Sequence, residues 1–525
     1  MNRRDFIKRA TALGVASSLA PSILFGCDEG DDLPLYQYEG PLGPENAFEH
    51  GVASGDPLPD AVVLWTRVTT GGDSTDPVSV FLEVSTDPSM RRRRVAEYVT
   101  TDAERDHTVR VDLAALEPGT TYYYRFSALG RTSPIGRTKT APVGRTREVR
   151  LAFASCSNLG FGYFYAYRMM ARRADLDAVV HLGDYLYEYS AFVEYGEVYG
   201  GFREDLDPPG QLVSLDDYRR RYAFYRRDPD LQLVHRQNPF IHVWDDHEFA
   251  CDPFVGGAAN HFPETQGPWA DRVANALAAY SEWMPTRLGA EGRIFRHFAY
   301  GDLAELALVD RQRPYLWPSE DDAGEHLGAE QQQWLDDRLD ESTARWFVLG
   351  QGTTFAPHSP DMLGGSSWDA VSRARVLERA TSNGRNLIVV TGDIHRAEAL
   401  DIVADPSAYD GATGAGSVGV EFSTGSITSP GGSTDTSGPQ FHWADGSHRT
   451  FLLLTLTPEL AQADFIGFAE FQQYRSQEPY QRLVRSFRVE VDSRHAVESE
   501  DAAAAGSSPP PFAPPEPPPY PYDEV

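Results

Sequence analysis

The sequence predicts an α/β protein, a large domain of layered sheet and helix preceded by a small all-β domain. Three observations predict it. Residues 48 to about 143 carry short Val-rich runs separated by turn residues, which is strand texture without helices. From about Glu148 the apolar runs are continuous and alternate with segments of helical period, as in strands buried on both faces of a helix-covered sheet. Six of these later runs end in polar, chemically capable residues, and layered α/β sheets gather their ligands beyond the carboxyl ends of such strands.

At 525 residues the chain exceeds one compact core, and its 41% apolar content with 9 Trp, 25 Tyr and 27 Phe supplies ample burial. The formal charge of −30 excludes wrapping a nucleic acid, because such a surface cannot neutralise phosphates. An anionic substrate would need local cations, and metal ions are one source of them.

Residues 1–27 read as a leader. "NRRDFIK" sets Arg3 and Arg4 before the small and apolar stretch Ala10 to Phe25, which is short for a membrane span. It resembles a twin-arginine signal, so the twin-arginine export machinery is an expected partner, and a periplasmic or extracellular location follows. The leader ends in "LFGC", which resembles a lipoprotein cleavage box with a bulky Phe25, so Cys27 is a candidate lipid anchor. Asp28 directly after it resembles an inner-membrane retention signal. Cys156 and Cys251 are then the only cysteines of the mature body, too few for a disulfide framework.

Residues 28–45 are acidic and rich in Gly and Pro, a tether. Within 46–144, "VVLWTRV", "VSVFLEV" and "HTVRVDL" read as strands, and "LEPGTTYYYRFSALG" puts Tyr122, Tyr124 and Phe126 on one face. That stretch resembles the tyrosine-bearing strand of a fibronectin-type sandwich. Residues 145–490 form the large domain, with helices over Trp269–Pro285 and Leu327–Glu341. "PELAQADFIGFAEF" fits a helix or a strand. Residues 491–525 read as a Pro-rich disordered tail.

The six strand ends are "FASCSN", "HLGDYLY", "VWDDHE", "LVDRQR", "VLGQ" and "VTGDIH". Together they offer a thiol, several carboxylates, a phenol, imidazoles and an arginine. Carboxylate and imidazole suit divalent or trivalent metals, and a phenol beside a thiolate suits high-valence iron more than zinc. Cys156 taken alone would be a buried apolar residue. Its place directly after a strand moves it towards the site. His181 and His242 lie inside their strands and read as structural, and Arg91 to Arg94 as a solvated loop.

In this order, "FEHGVASGDP", "VVLWTRV", "FASCSN", "HLGDYLYEY", "WDDHEFA", "NHF", "EWMP", "LVDRQ", "LGAEQQQWL", "VVTGDIHRAE" and "VEFSTGSITSPG" resemble the alkaline phosphatase D family, from about Phe48 to Pro458. The resemblance implies a metallophosphoesterase-like β-sandwich core flanked by helices, holding iron(III) and calcium. By position the iron ligands would be Cys156, Asp184, Tyr187 and His395. Asp184 would bridge to calcium, which would also take Asp245, Asp252 and Asp393. Asp246 is the alternative to Asp245, and Glu248 a structural partner. The spacing from Asp184 to Tyr187 also resembles the purple acid phosphatases. Where the family has amide side chains after "WDDHE", this sequence has Cys251 and Asp252, and a carboxylate there would hold a hard cation more tightly while repelling an anionic substrate.

The expected activity is phosphate-ester hydrolysis, on monoesters or diesters, by a metal-bound hydroxide. Asp184 and His395 would hold the ions, while Arg311 and His247 would stabilise the equatorial oxygens or protonate the leaving group. A monomer is expected. The rival reading is a non-catalytic, metal-bearing envelope binding protein. A serine hydrolase finds no "GxSxG" elbow in support.

Overall fold

The computed structural model describes residues 33–72, 75–190, 206–312, 327–357, 368–432, 438–469 and 482–504. The expected leader with Cys27, residues 28–32 of the tether and the Pro-rich residues 505–525 lie outside them.

Among the described residues, two large sheets form the body of the large domain. In one of ten strands, Val149–Ala154, Ala178–His181 and Pro239–His242 run parallel, and His448–Leu456 joins Val149–Ala154 antiparallel. In the other, of seven, Ala304–Leu308, Trp346–Gly350, Leu387–Thr391 and Ser417–Thr424 run parallel. Alternation along the second sheet divides its faces. Trp346, Val348, Ile388 and Val390 join the core shared with Leu151, Val179 and Ile241 of the first sheet. Their neighbours Phe347, Leu349, Leu387 and Val389 pack instead under the helices Gly328–Glu341 and Ala370–Ser382. This is the expected sandwich flanked by helices.

The helices follow local signals. Leu215–Arg226 opens on a capping box in which Ser214 and Asp217 each receive the other's backbone N–H. Trp269–Trp283 stops just before Pro285, whose ring and missing N–H end it. The undecided "PELAQADFIGFAEF" is a strand, Leu460–Ala469, because it lies between His448–Leu456 and Arg482–Glu490 and is buried over most of its length. Among the described residues no helix is long and apolar enough to cross a membrane.

In the small all-β part, Val62, Leu64, Val109 and Val111 of one layer face Val80, Leu82, Val84, Tyr122, Tyr124 and Phe126 of the other. The Tyr122 hydroxyl receives the Glu117 N–H at 2.8 Å, which anchors the turn before its strand. The first layer of this small sandwich is also part of the ten-stranded sheet. Val52–Gly55 pairs in parallel with Pro239–His242, Ser54 opposite Pro239 and Gly55 opposite Phe240. The seam is tied by an Asp56–Arg296 ion pair at 2.6 Å, an Asp112–Arg287 pair at 2.6 Å and the Trp65 indole donating to the Glu282 carbonyl at 2.8 Å.

The tail also begins later than its composition suggests. Val497–Ser499 pairs with Arg482–Glu490, the Asp501 carbonyl receives Gln462 Nε2 at 2.7 Å, and the Ala503 N–H donates to Asp464 at 2.9 Å. Residues 491–504 are therefore fixed to the sheet by backbone pairing that composition does not reveal.

Candidate metal centre and active site

The parallel strands of both sheets end at the same edge, and the loops that follow them build the site. Cys156 follows Val149–Ala154, Asp184 follows Ala178–His181, and Asp245 follows Pro239–His242. From the other sheet come Arg311 and Gln312, Gly352 and Thr353, and Asp393 with His395. The loops are cross-tied: Cys156 N–H donates to the Gly183 carbonyl at 3.2 Å, and Ser157 N–H to that of Asp184 at 2.8 Å.

Five of the expected ligands adopt left-handed backbone, with φ of 60° at Cys156, 55° at Asp184, 46° at Asp252, 65° at Asp393 and 55° at His395. Each costs on the order of 1–3 kcal/mol and persists only where the surroundings over-determine it, as at functional sites. Close approach explains two glycines. A Cβ on Gly183, itself at φ 112°, would lie 2.4 Å from Asp245 Cβ, and one on Gly352 would lie 2.4 Å from the Asp245 carboxylate carbon.

Donor atoms of Cys156, Asp184 and His395 lie within 4.8 Å of one another, as do those of Asp184, Asp245 and Asp246. Tyr187 completes the first group. Its hydroxyl is 3.0 Å from Asp184 Oδ2 and 3.1 Å from His395 Nε2, and Ser429 donates to it at 2.9 Å. Asp184 thus stands in both groups. Behind them, the buried Glu248 receives the backbone N–H groups of Asp184, Tyr185 and Asp245 at 3.0, 2.6 and 2.8 Å. Gln312 fixes Asp245 Oδ1 at 2.5 Å.

The electrostatics of this cluster ask for a cation. Burial, then repulsion from Asp184, Asp393 and Asp246, pushes Asp245 well above the usual carboxylate range. Burial and the charges of Asp246, Glu248 and Asp393 do the same to Asp184, against the pull of His247. Asp393 is pushed up to about 7, by burial first and then by Asp246 and Asp252, with His247 and Arg311 pulling the other way. Burial drives His395 down to about 3, which leaves a neutral imidazole with a lone pair to give. Bound cations relieve such crowded carboxylates. The donors present, namely carboxylates, a thiol, a phenol and a neutral imidazole, fit hard and borderline metals.

At the rim, burial opposes charge on His247, but Asp246, Glu188 and Asp184 outweigh it and hold its pKa well above the ordinary value. Glu188 receives His247 Nδ1 at 2.8 Å, Cys251 N–H at 2.7 Å and Asn260 Nδ2 at 2.6 Å, so one buried carboxylate fixes ring and loop together. Arg311 is buried, donates to Thr353 Oγ1 at 3.1 Å and lies over the Trp368 ring at 5.6 Å.

The fold brings together Cys156, Asp184, Tyr187, Asp245 and His395, while Asp393 lies outside both donor groups but near enough for its charge to act on Asp184 and Asp245. Asp252 stands apart from the donor groups found among the described residues. Its side chain is exposed, and its N–H is tied to Asp246 Oδ2 at 2.8 Å. Asp246 instead occupies the inner place beside Asp184 and Asp245. His181 is a buried structural histidine, 2.9 Å from the Tyr167 hydroxyl and 3.2 Å from Ser157 Oγ. Sequence reasoning missed Glu188, Gln312, Thr353 and Ser429. Glu188 directly follows Tyr187 in "YLYEY", where nothing local in the sequence sets it apart from an ordinary acidic residue.

Comparison with known proteins gives consistent findings. Residues 151–472 match the family described as PhoD-like phosphatase, and residues 40–142 match its N-terminal domain. Alkaline phosphatase D of Bacillus subtilis (strain 168) is 34% identical over 513 residues, spanning 88% of this chain and 84% of its own. The solved structure of PhoD matches with a TM-score of 0.77 at 31% identity, over 89% of this chain and 95% of that one.

Proposed function

This chain belongs to the PhoD-like phosphatase family, and from that premise we propose that it is an exported phosphate-ester hydrolase working with iron(III) and calcium. The observation that carries the reading is the buried donor cluster at the shared edge of the two sheets, in which Asp184 belongs to both groups of donors. Cys156, Asp184, Tyr187 and His395 would hold iron(III). Asp184, Asp245 and Asp393 would hold calcium, with Asp246 and the rim residue Asp252 adding charge. Bound there, the ions supply positive charge for the transferring phosphoryl group and acidify an attacking water.

The protein's own groups do the rest. Arg311, held by Thr353 and the face of Trp368, presents its guanidinium to the equatorial oxygens of the ester. His247 keeps its proton under the pull of three carboxylates, and Glu188 fixes its ring through Nδ1. Nε2, 4.0 Å from Asp246 Oδ2, is then the atom that donates to the leaving-group oxygen. Monoesters and diesters are both substrates in this reading.

The "NRRDFIK" leader supports export by the twin-arginine route to the periplasm or beyond, and "LFGC" supports a lipid on Cys27 of a monomeric enzyme. The test is elemental analysis of the exported protein beside paired assays on a chromogenic monoester and diester. Asp184→Asn should lose both metals and activity. A metal-free Asp184→Asn protein that still turns over ester would sink the proposal.

A further inference from the structure

A second group of ligand-type side chains lies away from the active site. The strand Ala397–Val403 starts near the site, where Ala397 pairs with Thr424, and runs away from it, so that Asp401 pairs with Val420 in mid-sheet. Asp401 is fully buried. His442 reaches it from the neighbouring strand Phe441–Asp445, and His495 from the segment after Arg482–Glu490 of the other sheet. His442 Nε2 is 3.0 Å from Asp401 Oδ1, His495 Nδ1 is 2.6 Å from Oδ2, and donor atoms of all three lie within 4.8 Å of one another.

A plain His–Asp–His hydrogen-bond chain accounts for His495 better than for His442. His442 Nε2 is buried 3.0 Å from Asp401 Oδ1, a close ion-pair contact whose angles miss those of a well-formed hydrogen bond. Two imidazole nitrogens converging on one buried carboxylate are a donor set that suits a divalent transition metal of the zinc class. Bonds of about 2.0–2.1 Å in a tetrahedron need donors roughly 3.3 Å apart, and with one donor atom of each residue already within 4.8 Å of the others, the widest pair closes by no more than about 1.5 Å. The carboxylate is already oriented from behind. Tyr409 donates to Oδ2 at 2.9 Å and the Ala496 N–H to Oδ1 at 3.0 Å, the kind of outer hydrogen bond that fixes metal ligands.

We propose that Asp401, His442 and His495 form a separate structural site for a Zn2+-class ion, which clamps the C-terminal segment of one sheet to the edge of the other. Water fills the remaining coordination position, and no chemistry is assigned to it.

The test uses the full-length chain carrying Asp184→Asn, which cripples the main centre, stripped with chelator and titrated with Co2+ and then Zn2+. One equivalent of Co2+ should bind with the visible absorption of a tetrahedral ion, yield to Zn2+, and Zn2+ should raise the melting midpoint. His442→Gln or His495→Gln on that background should abolish the absorption and weaken Zn2+ by at least about tenfold. In the otherwise unaltered chain the same substitutions should remove one equivalent of bound Co2+ and leave ester hydrolysis intact. Binding, absorption and midpoint unchanged in both glutamine variants would overturn the proposal, as would no Co2+ bound in the Asp184→Asn chain.

Discussion

Loading metal into the main centre should release protons, and more of them at low pH. Asp393 in the metal-free fold is pushed up to about 7 by burial and by the charges of Asp246 and Asp252. A carboxyl at about 7 is roughly 90% protonated at pH ~6 and roughly 10% at pH ~8, and a metal ligand must shed its proton. The share of the release that belongs to Asp393 therefore falls by about 0.8 proton between these two pH values. The sign for stability follows. Because the folded value is raised, the contribution of Asp393 to the metal-free fold is complete below its unfolded value near ~4 and is lost as pH climbs through about 7. Three units at ~1.4 kcal/mol each give about 4 kcal/mol, an upper bound because Asp393 is partly exposed and water screens it. Proton release is read by calorimetry in buffers of different ionisation enthalpy, and stability by melting of loaded and stripped protein across this pH range. Equal release at the two pH values, or a loaded-minus-stripped gap that narrows as pH rises, would refute the reasoning.

Four further outcomes test the reading. Glu188→Gln removes a charge that keeps His247 protonated, so the alkaline limb of the kcat/KM profile should move to lower pH. Gly352→Ala puts a methyl 2.4 Å from the Asp245 carboxylate carbon. A displacement of about 1 Å there should cost roughly 100-fold in kcat/KM while every ligand is kept. Tyr187→Phe should remove the visible absorption expected of a phenolate on iron(III), in a protein that still melts cooperatively. Trp65→Ala empties a fully buried position under the Arg226 guanidinium, and should cost about 3–5 kcal/mol in denaturant titrations.

Much of this centre could be read from the sequence because it is built on period and punctuation. A continuous apolar run followed by Gly-Asp is visible in one dimension, and Asp184 and Asp393 stand out for that reason. Glu248 could be reached from its position in "WDDHE". Glu188 could not, because what marks it is that Cys251, His247 and Asn260 all converge on it, and their separations of 63, 59 and 72 residues carry no local pattern. Asp252 is an expected ligand only through the resemblance, at a position where the family has an amide. The turn that follows Asp246 carries it outward, and spacing does not encode that. The same limit applies to the C-terminal segment, where composition suggested a tail and only pairing across the sheet reveals an edge strand.

The parallel pairing of Val52–Gly55 with Pro239–His242 has a consequence for any attempt to dissect the protein. Cutting the small sandwich away would bare the backbone groups of Pro239–His242 along one side, an unprotected edge of the kind that recruits other chains. It would also release the strand that positions Asp245, which lies only three residues beyond His242. The N-terminal sandwich is therefore no accessory that can be trimmed or exchanged. Substitutions around Ser54 and Gly55 should act on turnover at a distance, through the alignment of that strand rather than through any contact with the ester.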